Sequence, residues 1–483
     1  MTFNSSDIIQ EIQEKVLTII EDITGESANT MTACQAEKEI LSSLLSLGAS
    51  CLSLYYQNQA SRHSQPTVIH SEGVELPFHS WKKRQQLSLF GEITIERAYY
   101  YRAGECGYFP LDQAINLAPS KYSDSVQELY AELAVEQAYQ SGNAFMQRWL
   151  NLSLSSRAVQ EIVAESGKET THFYEQATPP EAEHQESILV VQADGKGVPQ
   201  IRATQANDAV RPKRGQARSR KKEAIVTTVY TIAPRPRTTQ EVLASLFKEA
   251  QEEPHTDEGH SHVRPIDKQL WATLEGKEVA MNRLKDAAAQ REQPKVKYRV
   301  ALCDGAKPLQ EKFTTQFAGY RLMLDFIHAY EYLWKAANLL FDEADPERLD
   351  WVKNQTTHLL NSQSTTIIDH LRQQAAFLPA SRGKKLLKIG NYFERNLPYM
   401  DYATCLSIGL PIASGVIEGA CRHIVKDRME LSGMRWTQNG AETLLQLRCV
   451  RHNGDWDEFW CFHRNLRQQK VPASTPANLA LAT

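Results

Sequence analysis

The periodicity of apolar positions changes several times along the chain, and each change predicts a different kind of element. Apolar residues recur at helical spacing over 6–24 and 37–56, whereas residues 66–101 alternate as the strands of a small antiparallel sheet do. Helical spacing returns over 123–167, where Ser, Gly and Asn at 141–143 predict a break. Short helices joined by tight turns suit a DNA-binding helix-turn-helix, and they suit a plain helical bundle equally well.

A long buried strand is predicted after the acidic, proline-bearing linker at 174–186. The strand begins at Ser187 and ends at Asp194, and Gly195 and Gly197 beside it would let another group approach the backbone. A carboxylate at the end of a buried strand is partly desolvated, which costs free energy unless a cation meets it. By itself this stretch is nevertheless more typical of a strand that stops at an ordinary Asp-Gly turn.

The same layout recurs further along the chain. A second apolar strand ends at Asp304, again followed by Gly. A third apolar run passes into a helix at Asp325 and His328, which are three residues apart and would share a helical face. Residues 346–398 are helical almost throughout and are interpreted as an insertion, after which Glu418 lies on a late helix amid Gly and Ser.

The composition bounds the class of protein. A chain of 483 residues with 42% hydrophobic and 23% charged residues is typical of a globular protein with two to four domains. No apolar run reaches 18 residues, so neither membrane insertion nor secretion is expected. The eight cysteines are scattered without a CxxC pair, which fits reduced thiols in the cytoplasm better than a disulfide framework.

The formal net charge is −4, so any surface that binds nucleic acid must be local. A basic loop is predicted after the first long strand, because seven of the twelve residues at 211–222 are basic and none is acidic. A solvated loop is the ordinary explanation of a charge run, yet this density favours contact with phosphate. The residues predicted to make that contact are Lys213, Arg214, Arg218, Arg220, Lys221 and Lys222.

Three acids form a candidate catalytic constellation, namely Asp194, Asp304 and Glu418. Open α/β sheets place their sites at the carboxyl ends of strands, so these acids could converge there. Carboxylates in one cleft repel one another, and a bound divalent cation removes that repulsion. Oxygen ligands favour Mg²⁺ or Mn²⁺, and two such ions can clamp the attacking and leaving oxygens of a phosphoryl transfer.

Several motifs follow one another in a characteristic order. They are Asp194-Gly-Lys-Gly-Val-Pro199, the basic loop, Leu270-Trp-Ala-Thr-Leu-Glu-Gly-Lys277, Asp304-Gly-Ala306, Asp325-Phe-Ile-His328, and a block that runs from Ser414-Gly-Val-Ile-Glu-Gly419 to Ser432-Gly-Met-Arg-Trp436. From about Trp81 to Asn453, this order resembles the ISKra-type bacterial insertion-sequence transposases, which belong to the Mutator-like group of DDE recombinases. The block at 414–436 is the most specific part of the resemblance.

The resemblance implies an RNase H-like catalytic core with a helical insertion before the last acid. It implies that Asp194, Asp304 and Glu418 bind the metal ions. It also places Asp325 and His328 in an Asp-x-x-His element that shapes the site and takes no part in the chemistry. An ordinary helix cap is the alternative role for Asp325.

DNA contact outside the basic loop is predicted for Arg428, Arg435 and Trp436. The arginines would bind phosphate, and the indole could stack on an unpaired base, with core packing as the alternative for Trp436. Relatives often carry paired cysteines near the position of Cys106, which has no partner in this sequence. A zinc site needs four ligands, so this departure argues against a zinc-stabilised N-terminal module.

The expected architecture is mixed α/β, with an RNase H-like core, an all-α insertion, and a helical and small β N-terminal region that includes the helix-turn-helix-like segment. The expected segments are an N-terminal helical region at 1–65, a β-rich module at 66–115, DNA-binding helices at 116–173, the first part of the core at 187–341, the insertion at 342–403, the last part of the core at 404–452, and a tail at 453–483.

The expected function is that of a DDE transposase of an insertion sequence. It would use two Mg²⁺ or Mn²⁺ ions to cut double-stranded DNA at the terminal inverted repeats and to join the 3′-hydroxyl end to target DNA. A homodimer or higher oligomer on DNA, in the cytoplasm with the nucleoid, is expected. Two alternatives stay open: an RNase H-like nuclease that cuts and never joins, and an inactive DNA-binding remnant of a transposase.

Overall fold

The structure of the protein is a computed structural model that describes residues 5–69, 73–201, 221–247, 263–431, 433–470 and 475–476. The basic residues Lys213, Arg214, Arg218 and Arg220 lie outside these ranges. Among the described residues, no helix is both long enough and apolar enough to cross a membrane.

Helices account for most of the secondary structure. In chain order they are α1 Ser5–Thr24, α2 Ala33–Arg62, α3 Pro110–Ala114, α4 Asp124–Glu136, α5 Tyr139–Leu150, α6 Ser156–Gly167, α7 Thr170–Gln176, α8 Thr239–Phe247, α9 Lys277–Ala289, α10 Lys307–Gln316, α11 Phe326–Leu340, α12 Glu347–Leu360, α13 Ser364–Ala375, α14 Ala380–Asn396, α15 Tyr402–Ser407, α16 Gly415–Ala420, α17 Asp427–Met429, α18 Gln438–Asn453 and α19 Trp456–Lys470. A π-helical segment, Cys421–Lys426, follows α16 directly.

The strands form two sheets. They are β1 Thr67–Ile69, β2 Glu75–Ser88, β3 Gly91–Tyr100, β4 Ile188–Pro199, β5 Lys221–Ile232, β6 Ile266–Thr273, β7 Tyr298–Cys303, β8 Arg321–Leu324 and β9 Thr475–Pro476. The chain divides into two compact units, of which the first comprises Met1–Glu175 with Asp455–Thr483 and the second comprises Gln176–Gly454. Each unit holds one of the sheets, so the mixed α/β class is confirmed.

The first unit is built on the sheet β3-β2-β1-β9. The hairpin of β2 and β3 is antiparallel, and its register runs from Phe78 opposite Tyr100 to the turn. Successive side chains of a strand point to opposite faces, so the alternation in β3 buries Ile93 and Ile95. The prediction of strands within 66–101 is therefore confirmed.

The helix break predicted at 141–143 is wrong, because α5 runs through these residues from Tyr139. The chain leaves the helical conformation at Gln137 and Ala138. A Cβ at Gly142 would lie 3.1 Å from the Cβ of Leu133, so the glycine lets α4 and α5 approach closely. Gly142 therefore allows close helix packing and does not break the helix, contrary to the prediction.

The segment expected to be a tail at 453–483 contains the helix α19. Phe459 and Trp460 of this helix are buried. Near its end, Arg467 donates hydrogen bonds to both carboxylate oxygens of Asp124, each 2.8 Å long. Apolar burial and a paired arginine thus attach α19 to the first unit, which contains residues more than 300 positions earlier in the sequence.

The second unit is built on the sheet β6-β5-β4-β7-β8. Strands β4, β5 and β6 pair antiparallel, whereas β7 is parallel to β4 and β8 is parallel to β7. Both faces of β4 and β7 are covered, which explains why their sequences are apolar almost without interruption. Strand β4 therefore lies at the centre, between an antiparallel and a parallel neighbour.

Each face of this sheet contributes to a separate apolar core. Val190 and Leu302 face a core that also contains Leu333 of α11, Leu371 of α13 and Phe393 of α14. The helices of the predicted insertion thus pack on this face and complete its core. The opposite face packs on a second core, to which α9 and α10 contribute Met281, Leu284, Leu309 and Phe313.

Candidate metal centre

Three neighbouring parallel strands bring three aspartates to one level of the sheet. Gln192 of β4 lies opposite Leu302 of β7, so two residues later Asp194 and Asp304 follow at the same height. Strand β8 extends the row, because its last residue pairs with Cys303, and Asp325 comes next. Adjacent strands are about 4.8 Å apart, so these acids occupy one edge of the sheet. The predicted strand end at Asp194 is wrong, because β4 continues through Gly195 to Pro199 in pairing with β5. Asp304 does follow the end of β7, as predicted.

Asp194 is partly buried on β4. Its Oδ1 accepts a hydrogen bond from the backbone N–H of Gly195 at 2.6 Å, and the thiol of Cys421 donates to Oδ2 at 3.4 Å. Burial raises the pKa of Asp194 above its ordinary value, and the nearby charge of Asp304 raises it further. A bound cation would reverse both effects, because it stabilises the ionised carboxylate.

The glycines beside Asp194 accommodate side chains of the neighbouring strand β5. A Cβ at Gly195 would collide with the carboxylate of Glu223, and a Cβ at Gly197 would lie 2.9 Å from the Cδ of Lys221. The close approach predicted at these glycines is therefore present, and the groups that approach belong to the protein itself.

Asp304 opens the turn after β7. Its Oδ1 accepts a hydrogen bond from the N–H of Ala306 at 2.9 Å, and Gly305 has a φ of +82°, which favours glycine. Two side chains of α14 hold the turn from outside, because the Tyr392 hydroxyl donates to the Asp304 carbonyl and Arg395 donates to the Gly305 carbonyl. The helical insertion thus fixes the position of this candidate ligand.

Asp325 is fully buried and caps α11. Its Oδ1 accepts hydrogen bonds from the N–H groups of Ile327 at 3.3 Å and Ser414 at 2.9 Å. Its Oδ2 accepts from the N–H of His328 at 3.3 Å and lies 2.6 Å from the Nδ1 of the same residue. The helix-cap alternative is therefore present, and the same carboxylate also orients His328 and the segment that leads to Glu418.

The pair of Asp325 and His328 is ionic. Burial alone would raise the pKa of Asp325, but the hydrogen bonds from His328 and the Ser414 backbone outweigh it and lower that pKa. The hydrogen bond to Asp325 raises the pKa of His328 to about 9, against the desolvation that lowers it. His328 is consequently protonated at neutral pH and brings a positive charge to the edge where the aspartates lie.

Glu418 comes to the same edge on the short helix α16. The N–H of Ile417 donates to the buried side-chain oxygen of Gln192 at 3.1 Å, which ties α16 to the central strand. The Glu418 side chain is 42% exposed, and its Oε1 lies 3.9 Å from the Nδ1 of His328. Burial raises the pKa of Glu418, and the charge of Asp325 raises it further.

Two sets of side chains at this edge could hold a cation. Donor atoms of Asp325, His328 and Glu418 lie within 4.8 Å of one another. However, four hydrogen bonds already occupy the two oxygens of Asp325, and a carboxylate has about four acceptor sites. Asp194 and Asp304 each retain an oxygen without a backbone donor among the described residues, which fits cation binding better. Among the described residues, the short distances therefore select Asp325, His328 and Glu418, whereas the oxygens without a backbone donor belong to Asp194 and Asp304.

The structure corrects two of the predicted DNA contacts. Arg428 is 1% exposed and Trp436 is 6% exposed, so neither can contact DNA in this conformation. The Arg428 guanidinium lies over the Trp436 ring, 4.9 Å from its centre. The Trp436 indole donates to the carbonyl of Met429 at 3.1 Å, which satisfies its polar group inside the core. Core packing was the alternative role for Trp436, and it is the one observed.

The other described residues with a predicted DNA contact lie nearer the surface. Arg435 and Lys221 are exposed, and Lys222 is half-buried. The ammonium group of Lys221 forms an ion pair of 2.5 Å with Glu430. An exposed pair of this kind contributes at most about 1 kcal/mol, so phosphate could compete for Lys221.

We expect Trp436→Ala to lower the free energy of unfolding by about 3–5 kcal/mol, because it removes a buried aromatic side chain and leaves a cavity. The exposed Phe377 of the same unit, 89% accessible, is the matched control, and Phe377→Ala should change stability by less than about 0.5 kcal/mol. Urea unfolding measures both. Unchanged stability in Trp436→Ala with a loss of DNA affinity would restore the base-stacking role.

Sequence reasoning missed Gln192, Cys421 and Tyr392. Gln192 is fully buried and donates to the Tyr230 hydroxyl at 3.2 Å while accepting from α16. The available signal was a lone amide in an otherwise apolar strand, two residues before Asp194. Cys421 and Tyr392 gave no local signal, because only the tertiary fold brings them to the aspartates.

Comparisons with known proteins place the chain near proteins of uncharacterised function. The model of the uncharacterised protein family UPF0236 matches residues 76–225. The UPF0236 protein in the vanSb 3′ region of Streptococcus gallolyticus is 21% identical over 391 residues, which cover 78% of this chain and 75% of that protein. A solved structure, the Drosophila P element transposase strand transfer complex, matches over 74% of this chain and 84% of its own, with 8% identity and a TM-score of 0.24. A TM-score this low does not indicate a shared fold or a shared function.

Proposed function

We propose that this protein is a DDE transposase of an insertion sequence, with an RNase H-like core in its second unit. The observation that carries the proposal is the alignment of Asp194 and Asp304 on adjacent parallel strands, with Glu418 brought to the same edge by α16. Three acids at one sheet edge would form an oxygen-rich site that suits Mg²⁺ or Mn²⁺.

The order and direction of the strands support an RNase H-like core. Numbered within the second unit, the sheet order is 3-2-1-4-5, and only the second strand runs against the others. Asp194 lies on the central strand β4, and Asp304 follows β7, the fourth strand of the unit. Glu418 comes after the helices α12–α14, which agrees with an insertion before the last acid.

Each residue of the site has a separate part in the proposed reaction. Two bound ions would activate water for attack on the phosphodiester and stabilise the leaving oxygen. Asp194, Asp304 and Glu418 would hold these ions, and the paired Asp325 and His328 would fix the strand end and α16 around them. The protein's own contribution is thus positioning and charge neutralisation, with no covalent intermediate on the enzyme.

DNA contact is proposed for surfaces outside this edge. Lys221, Lys222 and Arg435, together with the basic residues at 213–220, would bind backbone phosphate. Helices α4 to α6 would recognise the terminal inverted repeats, and a homodimer or higher oligomer would hold two element ends. These assignments follow from the resemblance and from the density of positive charge.

The experiment that tests the proposal uses the full-length protein, labelled DNA of the element ends, an unlabelled target plasmid and Mg²⁺. We expect nicking at the ends and covalent joining of the label to the plasmid, both abolished by EDTA. Cutting without joining would favour the structure-selective nuclease. Specific binding without any cutting would favour the inactive remnant, and the transposase proposal would then be wrong.

A further inference from the structure

An open groove of about 800 Å³ lies beside Asp304 in the second unit. Its walls come from the turn after β7 and from two helices, α11 and α14. The side chains that matter for its chemistry are Lys307, Tyr332, Lys335, Lys388, Tyr392 and Arg395. None of them belongs to the candidate metal ligands or to the predicted basic loop.

Each of the two helices presents one matching face to this groove. On α11 the lining residues are His328, Glu331, Tyr332 and Lys335. On α14 the polar lining residues are Lys388, Asn391, Tyr392 and Arg395, and the buried Ile389 lies beside them. The α11 residues and the polar residues of α14 have the spacing i, i+3, i+4 and i+7, which places four side chains on one side of a helix. The groove is therefore formed by two continuous helical faces and not by scattered loop residues.

The two tyrosines fix these faces against each other. Their rings are stacked with centres 3.8 Å apart and planes 4° apart. The Lys335 ammonium lies 4.2 Å from the centre of the Tyr332 ring, and the Arg395 guanidinium lies 5.6 Å from that of Tyr392. The Tyr392 hydroxyl also donates to the carbonyl of Asp304 at 3.2 Å. Both cations are consequently held at a defined position relative to the candidate metal centre.

Positive charge exceeds negative charge along the groove. Lys307 and Lys335 have carboxylate neighbours, at 3.7 Å to Glu311 and 3.6 Å to Glu331. Lys388 is exposed and has no carboxylate within 4 Å among the described residues of the chain. Arg395 donates a hydrogen bond to the backbone carbonyl of Gly305, and this neutral partner does not cancel its positive charge. Such a surface attracts an anion that can reach several cations at once.

We propose that this groove binds the phosphodiester backbone of a single DNA strand as it leaves the metal centre. The inference rests on the proposed function, because the strand is the one that would be cut at Asp304. Seven residues of helix span about 10 Å, which equals about three nucleotide steps at the duplex rise of about 3.4 Å and fewer steps of an extended single strand. A volume in the range of small-ligand pockets holds a short strand segment. Cations beside aromatic rings are typical of surfaces that bind single-stranded nucleic acid.

The test compares binding of two fluorescent DNA probes by anisotropy at several salt concentrations, in EDTA so that no cutting occurs. One probe is an element end with a three-nucleotide single-stranded overhang, and the other is the blunt duplex. We expect the double variant Lys335→Ala/Lys388→Ala to reduce the slope of log affinity against log salt by about 1.4 for the overhang probe only. The double variant Lys335→Arg/Lys388→Arg should keep the wild-type slope.

Lys285→Ala is the matched control, because Lys285 is an exposed lysine on α9 of the same unit and does not line the groove. It should leave both slopes unchanged. An unchanged slope in the alanine double variant, while wild-type protein still cuts element ends, would overturn the groove inference alone. Loss of slope with both probes would also overturn it, and wild-type protein that binds neither probe would overturn the proposed function as well.

Discussion

We expect that replacing Asp194 or Asp304 by Asn, or Glu418 by Gln, will reduce Mg²⁺-dependent strand cleavage by about 10³-fold or more and leave DNA binding unchanged. Each substitution keeps the size of the side chain and removes a negative oxygen ligand at the shared sheet edge. In the proposed reaction the bound cation would supply the nucleophile and stabilise the leaving oxygen, so loss of a ligand should affect the chemical step. Cleavage of labelled DNA and binding in EDTA measure the two properties separately.

In the absence of metal, Asp194→Asn and Glu418→Gln should be at least as stable as the wild-type protein. Burial raises the pKa of Asp194 and of Glu418, which means that the fold disfavours their charged forms. Neutral side chains of the same shape avoid the free-energy cost of burying a charge. Functional sites often carry such a cost, because residues needed for activity can reduce stability. Mg²⁺ should raise the melting temperature of the wild-type protein, because a ligand that binds the native state stabilises it, and should do so less for the variants.

Asp286→Asn provides the control for this prediction. Asp286 is an exposed acid on α9 of the same unit and is not one of the candidate ligands. Its replacement should alter neither cleavage nor the thermal response to Mg²⁺. Normal Mg²⁺-dependent nicking by any one of the three site variants would show that the residue is not a required ligand.

The aligned aspartates could be predicted from sequence because their signal is local. A buried parallel strand is a continuous apolar run, and Asp194 and Asp304 are the charged residues that interrupt or follow such runs. Glu418 lies in no comparable strand pattern, because the sequence marks it only as an acid on a late helix amid Gly and Ser, and the resemblance then implies its role as a metal ligand. In the structure its position depends on a hydrogen bond to Gln192, which lies 225 residues from Ile417. No periodicity within a short window can reveal a contact of that separation.

The errors of the sequence analysis have the same physical origin. Arg428 and Trp436 were assigned to DNA because a cation and an aromatic residue near a motif suggest a nucleic-acid surface. Their burial results from mutual stacking inside the unit, and charged residues are seldom fully buried without such a partner. The helix α19 was missed because its buried residues pack on an early part of the chain. Tertiary contacts decided each of these cases.

Asp325 connects more of the site than any of the candidate ligands. Its carboxylate satisfies two N–H groups at the start of α11, the N–H of Ser414 before α16, and the imidazole of His328. An N–H group at a helix start has no partner within its own helix, so the cap stabilises α11 directly. The buried carboxylate of Asp325 thus holds the end of β8 and the segment before Glu418 in fixed positions relative to each other.

We expect Asp325→Ala to lower the free energy of unfolding of the second unit by about 3–5 kcal/mol, because it leaves His328 and several N–H groups without their acceptor. Asp325→Asn should cost less, about 1–3 kcal/mol, since the amide oxygen still caps the helix while the ionic partner of His328 is lost. Asp401, which caps α15 at the surface of the same unit, is the control. Asp401→Ala should cost about 1 kcal/mol.

The pH dependence of this difference identifies the ion pair as its cause. The lowered pKa of Asp325 gives stability that is present above the unfolded value of about 3.9 and is lost as pH falls through the native pKa. The raised pKa of His328 gives stability that is complete below about 6.5 and is lost as pH rises through about 9. The cost of Asp325→Asn, measured by urea unfolding, should therefore be largest between about pH 4 and 6.5 and should shrink toward pH 9. A cost that does not vary with pH would mean that Asp325 acts as a helix cap alone and that its contact with His328 contributes nothing.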